Sequence, residues 1–281
     1  MILIADSGMT KTDWRLINQN GDIEQCRTAG INPNYMTPEA IQAIFEGELK
    51  PNVNGAFEKL HFYGAGCSSE HSHVVIRDAF REVYPNSEVE VQHDLIAAAR
   101  ALCGHQEGIA CILGTGANSC LYDGKQIVDN IASVGYVMGD EGSGTWLGSQ
   151  LLSAFMRREL PENIHQRLVK RFDLSNETII ENVYRKSTPA KYISGFSKFI
   201  FQNLKDPYLY LLVHRGFTLF FEKNINRYEG FQERQVHFTG SVAFYYANIL
   251  RKVASEQGVA LRNITENPIA GLTLYHQNSL T

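Results

Sequence analysis

The chain has 281 residues, 44% of them hydrophobic and 20% charged, with a formal net charge of −4 at pH 7. That is apolar material enough for one large domain or two of ordinary size. No basic surplus or Lys/Arg run follows a phosphate backbone, and the longest apolar stretch, "YLYLLVHRGFTLFF", is broken by His214 and Arg215, so neither nucleic acid nor a membrane is an expected partner.

In chain order, "MILIAD", "TDWRLIN" and "DIEQCRTA" predict three short strands, the last two joined by the turn chemistry of "NQNG". Met1 runs into this meander with no basic n-region and no apolar h-region, which predicts a cytoplasmic protein. "PEAIQAIFEGEL" has helical spacing, with Thr37 as N-cap and Pro38 at the first helical position. A short strand "KLHFYGAG", a helix "SHVVIRDAFREVYP", an alternating strand "EVEVQHD" and an alanine-rich helix stopped by Gly104 complete the first half.

The second half begins again with strand, glycine turn, strand, Asp-Gly turn, strand in "GIACILGTGANSCLYDGKQIVDNI". Laid against residues 2 to 25 it gives the same series of elements, so the chain reads as two related halves. After Gly148 a run of helical segments follows, then the strand, turn and helix of "RQVHFTGSVAFYYANILRKVASEQG". The five cysteines, Cys26, Cys67, Cys103, Cys111 and Cys120, contain no C-x-x-C pair and read as buried free thiols. His71 and His73 lack a third ligand nearby and read as a solvated loop.

Four glycine-bearing turns are read as following apolar strands: residues 5–12, 113–119, 139–148 and 238–242. No Gly-Lys-Ser/Thr occurs, and Gly114-x-Gly116 meets Ser119 where a dinucleotide fingerprint needs glycine, so both common nucleotide loops are disfavoured. A clamp of two hairpin turns, one per half, giving N–H and hydroxyl groups to phosphates remains.

Here the pattern resembles a known family. "ADSGMTKTDW" and "GTGANS" resemble the two phosphate loops of actin-like ATPase sugar kinases, "GYVMGDEGSGTWLG" narrows the match to N-acetylglucosamine kinases and the related BadF/BadG-type ATPases, and "FTGSVAFYYANIL" resembles their adenosine turn. The resemblance implies an α/β, two-domain actin-like (ribonuclease H-like) fold with a duplicated mixed sheet flanked by helices and a cleft between domains. It divides the chain into 1–104 plus 268–281, and 105–267. It also implies ATP and Mg²⁺ as cofactors.

By the same resemblance Asp6 orients the water shell of Mg²⁺, which keeps most of its waters. Ser7, Gly8, Thr10, Lys11 and Thr12 meet phosphate, as do Gly114, Thr115 and Gly116, while Gly240, Ser241 and Val242 pack on adenosine near Phe244 and Tyr245. Asp94 is the implied general base, a role that competes with simple N-capping of the alanine-rich helix. Asn32, Gly66, Cys67, Ala117, Asn118, Gly135, Asp140 and Glu141 are the implied substrate contacts, beside Asp94. The sequence departs from the family where Ser7 precedes Gly8 and where Ala132, Ser133 and Val134 precede Gly135. The function implied is phosphorylation of the 6-hydroxyl of an N-acetylated amino sugar, first N-acetylglucosamine. The alternatives are an N-acetylmuramic acid or glucosamine kinase and a nucleotide-dependent sensor. An iron–sulfur activator would need a cysteine constellation that is lacking. Homodimers are common among the relatives, and the aromatic-rich helices from Tyr192 to Phe221 read equally as an interface or as the core of the second domain.

Overall fold

A computed structural model describes residues 1–53 and 57–278. The chain divides into two compact units, the first formed by residues 1–106, 123–127 and 267–281, the second by 107–122 and 128–266. The last three residues of the expected segment 268–281 lie outside the described residues.

The first unit runs β1 (Ile2–Ser7), β2 (Lys11–Ile17), β3 (Ile23–Ala29), α1 (Pro38–Ile44), β4 (Lys59–Gly64), α2 (Glu70–Val83), β5 (Glu88–His93) and α3 (Asp94–Cys103). Its sheet has the order β3-β2-β1-β4-β5. β1 pairs antiparallel with β2 and parallel with β4, and β5 extends the parallel side. As a central strand covered on both faces, β1 reads as a continuous apolar run, whereas the edge strand β3 is largely exposed.

Trp14, Phe45, Phe62 and Phe80 fill the core below the sheet, with ring centroids 5.1 to 6.2 Å apart. Thr37 caps α1 by accepting the Ala40 N–H at 3.3 Å, as its sequence predicts. His71 and His73 stand in the first turn of α2 rather than in a loop. Ser69 and Ser72 form a reciprocal cap there that starts the helix just before them.

The second unit repeats the plan with β6 (Glu107–Leu113), β7 (Ala117–Asp123) and β8 (Ile127–Asp129), then α4 (Gly135–Met138), α5 (Gly144–Met156), α6 (Glu162–Phe172), α7 (Asn176–Ile180), α8 (Pro189–Gly195), α9 (Ser197–Gln202) and α10 (Pro207–Lys223). β9 (Gln235–Thr239), α11 (Ser241–Tyr245), α12 (Ala247–Glu256) and β10 (Ala260–Thr265) follow, and α13 (Ile269–Asn278) returns to the first unit. The second sheet has the order β10-β9-β6-β7-β8. Read from its own first strand this is the topology of the first sheet, so the duplication legible in the sequence is a duplication of fold.

The aromatic-rich helices from Tyr192 to Phe221 bury Phe196, Phe199, Phe217, Phe220 and Phe221 in the core of the second unit. All five cysteines are free thiols, four of them buried. No helix among the described residues is long and apolar enough to cross a membrane.

Candidate active site

In the first unit the turn between β1 and β2 is closed by Gly8 N–H donating to the Lys11 carbonyl at 3.0 Å. Gly30 backs this turn, because a Cβ there would overlap the Gly8 carbonyl oxygen. Met9 and Thr10 face outward. Ser7 and Thr12 depart from their expected role as hydroxyl donors to phosphate. Their oxygens lie 2.8 Å apart, with Ser7 Oγ 2.9 Å from the Ile31 carbonyl and Thr12 Oγ1 donating to the Ala29 carbonyl at 3.0 Å. These hydroxyls tie down the chain at the end of β3, which is why both residues are buried. Lys11 Nζ is 2.8 Å from Asp13 Oδ2, and Arg27 Nε meets the other oxygen of that carboxylate at 2.8 Å. Burial alone would raise the Asp13 carboxyl, but these two cations outweigh it and hold it below the usual range.

Asp6 pairs in register with Asp13 across the hairpin, and its carboxyl is raised to about 7 by burial and by the charges of Asp13 and Asp94, with Lys11 opposing. Asp94 is not the cap of α3. His93 holds that position without a side-chain bond, and Asp94 occupies the first helical residue. Its carboxyl is pushed upward by burial, against the N–H groups of Leu95 and of Asp94 itself. Cys67 lies in the same electrostatic neighbourhood, its thiol pushed up to about 12 by burial and by Asp94. Cys67, expected as a substrate contact, is fully buried, backbone included. Asn32 Oδ1 accepts the Asn34 N–H at 3.0 Å, and Asn32 Nδ2 lies 3.1 Å from Met9 Sδ. Gly66, at φ +85°, leaves the room that the Asn32 amide fills. Asp6, Asp94, Cys67, Gly66 and Asn32 thus stand at the C-terminal ends of β1, β4 and β5, where open α/β sheets carry their sites.

In the second unit the turn of Gly114, Thr115 and Gly116 is closed by Gly114 N–H donating to the Gly116 carbonyl at 3.0 Å. The start of α5 is stapled to it. Gly144 N–H donates to the Gly114 carbonyl at 2.8 Å, while Thr145 donates to the Thr115 carbonyl through N–H at 3.0 Å and through Oγ1 at 2.9 Å.

The segment 139–148 does not follow a strand. It follows α4, a single turn that begins at Gly135 with φ +73° and leaves Val137 and Met138 exposed. Asp140 and Glu141 do not open α5 either, since Ser143 caps that helix by accepting the Trp146 N–H at 3.1 Å. Asp140 holds a left-handed backbone, φ 57°, which places its carboxylate over Gly116, where a Cβ would come 2.9 Å from Oδ2. Burial raises this carboxyl, the Ala117 N–H and Ser133 Oγ lower it, and Glu141 raises it again, leaving it above its ordinary value. Glu141 is buried and ion-paired with Lys223 from the end of α10.

Gly240, at φ +113°, lies where a Cβ would overlap the Leu113 carbonyl oxygen, and its N–H donates to the Thr265 carbonyl at 3.0 Å. Ser241 opens α11 and is exposed, but Val242 turns into the core rather than toward a ligand. Phe244 and Tyr245 are exposed and stand edge to face, 5.6 Å apart.

Sequence reasoning missed Asp13, Gly30, Asn130, Lys223 and Tyr228. Gly30 had a signal in the "AGINPN" turn, and Asp13 one in its alternation with Lys11. Lys223 and Tyr228 lie far along the chain from what they hold.

Among the described residues no group of three or more His, Cys, Asp and Glu side chains is arranged to hold a metal ion. Asp6 nonetheless fits Mg²⁺ bound through water, since its carboxylate is an oxygen donor crowded by two others, and a hydrated divalent cation relieves that repulsion.

Scans of protein-family models and searches of curated proteins give no match. Among solved structures, a candidate N-acetylglucosamine kinase from Porphyromonas gingivalis is 39% identical over 100% of both chains, with a TM-score of 0.94. A second candidate N-acetylglucosamine kinase, from Chromobacterium violaceum, shares 16% identity over 98% of both chains at a TM-score of 0.75. A ROK-family transcriptional regulator shares the fold at 12% identity and a TM-score of 0.52, covering 98% of this chain and 78% of its own. Two duplicated mixed sheets, each with a glycine hairpin after its first strand, define the two-domain actin-like ATPase fold. The chain belongs, within that class, to the N-acetylglucosamine kinase and BadF-type family.

Proposed function

We propose that this protein is an ATP- and Mg²⁺-dependent kinase that transfers the γ-phosphoryl group to the 6-hydroxyl of an N-acetylated amino sugar, first of all N-acetylglucosamine. The observation that carries the reading is the placement of Asp94. Its carboxylate sits on the first residue of α3, held by helix N–H groups, raised above the ordinary carboxylate range, and close enough to Asp6 at the phosphate turn to shift its ionisation. A base so poised takes the proton of the attacking hydroxyl as the O–P bond forms and ADP leaves.

In this reading Asp94 is the base, the Gly8 to Lys11 turn and the Gly114 to Gly116 turn bind phosphate, and Asn32 with the Gly66 turn binds the sugar. The Asp140 carboxylate with Asn118 and Ala117 also binds sugar, and the Gly240–Ser241 turn with Phe244 and Tyr245 binds the nucleoside. Asp6 holds Mg²⁺ through water, and the ion supplies charge neutralisation on the phosphates. Phosphoryl transfer asks little else of a protein beyond position and charge.

The test is ADP release, coupled to a spectroscopic readout, over N-acetylglucosamine, N-acetylmannosamine, N-acetylmuramic acid, glucosamine and glucose. Release stimulated by an N-acetylated sugar above the others is the expected result. Release that no sugar stimulates overturns the reading and favours a nucleotide-dependent sensor.

A further inference from the structure

The chain between β8 and α4 holds two of the side chains assigned to the sugar, one at each end. Asn130 Nδ2 donates to the Ser119 carbonyl at 2.6 Å, to Asn118 Oδ1 at 3.2 Å and to the Ile131 carbonyl at 3.3 Å. Ser133 Oγ donates to Asp140 Oδ1 at 3.2 Å. Between them Ile131 N–H donates to Tyr228 Oη at 3.1 Å, and that hydroxyl, fully buried, lies 2.8 Å from Ser119 Oγ. The strap is therefore fixed at three points, Asn130, Ile131 and Ser133, the last of them where the sequence departs from the family pattern.

The consequence falls on Asn118. Its Oδ1 accepts from the Ser119 N–H at 2.9 Å as well as from Asn130, so both of its lone-pair directions are taken by protein donors. Asn130 cannot turn its own amide over, since all three neighbours of its nitrogen are acceptors. The two amides lock each other, and Asn118 is left with its NH₂ group, which donates to no partner among the described residues.

We propose that Asn130 is a positioning residue that fixes the Asn118 amide with its NH₂ toward the bound sugar, so that this edge of the site offers hydrogen-bond donors only, beside the acceptor carboxylate of Asp140. The inference rests on the kinase reading above. A ligand group meeting Asn118 must then be an acceptor oxygen, of a hydroxyl, ether or carbonyl, and an ammonium group there meets only donors. Asn130 acts through Asn118 and touches no substrate.

The experiment is a double-mutant cycle on steady-state kinetics with N-acetylglucosamine and ATP. Asn130→Asp keeps the shape and removes the N–H groups, and Asn130→Ala serves if the charged variant folds poorly. The expected result is a KM for the sugar raised about tenfold, the loss of one oriented hydrogen bond. The KM for ATP stays within about twofold, and Asn130→Ala has no further effect in an Asn118→Ala background. An unchanged sugar KM, a parallel rise in the KM for ATP, or an equal effect in both backgrounds overturns the inference while leaving the kinase reading standing. A wild-type protein that turns over no amino sugar removes both.

Discussion

Asp140 shows how much one backbone angle can decide. At φ 57° the residue is in a region that costs most side chains about 1–2 kcal/mol but that Asp and Asn tolerate, and only there does its carboxylate reach over Gly116 to the Ala117 N–H. Asp140→Asn keeps the backbone and removes the charge. It should raise the KM for the sugar by roughly tenfold to a hundredfold, as expected for losing a hydrogen bond to a charged acceptor, with thermal stability nearly unchanged. Steady-state kinetics beside a melting curve checks this, and a KM change confined to ATP would contradict the assignment. The sequence singled out Asp6, Asp94 and Asp140 through the family motifs around them, "ADSGMTKT", "VQHDLIAAA" and "MGDEGSG", rather than through any local period. It could not tell that Ser7, Thr12, Cys67 and Val242 are buried, because a hydroxyl, thiol or methyl facing the core looks the same in sequence as one facing outward.

At the scale of elements, the glycines separate those that shape the site from those that let helices meet. Gly30 stands behind the first hairpin turn, whereas Gly148 on α5 faces the Ile193 carbonyl of α8, and a Cβ at either position overlaps backbone. Both Gly30→Ala and Gly148→Ala should lower stability by about 1–3 kcal/mol in urea unfolding, the usual range for overpacking. Only Gly30→Ala should also raise the KM for ATP, because only Gly30 touches the turn assigned to phosphate. Equal KM values in the two variants would detach Gly30 from the site. The sequence revealed the strands of the first unit well, since their apolar runs end in strong turn signals. It did not reveal β10, a largely exposed edge strand with no alternation to read, nor α4, whose single turn leaves no period at all.

Across the molecule, the duplication was legible because both halves repeat strand, glycine turn and strand, and the matching strand orders of the two sheets are its three-dimensional form. The return of α13 to the first unit was implied by the family resemblance, but not that it brings His276 to the first sheet, more than two hundred residues from Tyr63. Nε2 of His276 is 2.9 Å from Tyr63 Oη, and its ring lies 3.9 Å from that of His61. Around this pair stand Lys59, Glu90, Arg100 and Tyr275. Burial first, then the neighbouring His61 and Arg100, lower the His276 ring from 6.5 to about 3.

The folded chain therefore keeps His276 neutral at pH values where the unfolded chain protonates it. Its share of stability is complete above about pH 6.5 and declines as pH falls toward 3, by about 2 kcal/mol between pH 7 and pH 5. Glu90, held well below the usual carboxylate range by His61 against the opposing effect of burial, and by Arg100, adds a loss in the same direction below about pH 4.5. Unfolding free energies across pH 7 to 5 should slope downward in the wild type and less steeply in His276→Gln. Parallel slopes would contradict this.

If Asp94 drives phosphoryl transfer to an N-acetylated amino sugar, its removal shows in sugar-stimulated ADP release, measured for the wild type and for Asp94→Asn at saturating N-acetylglucosamine. The expected result is stimulated release in the wild type and a fall in kcat of roughly 10²–10⁴ in the variant, with folding and ATP binding retained. Stimulated release that survives the substitution within a few fold would contradict it.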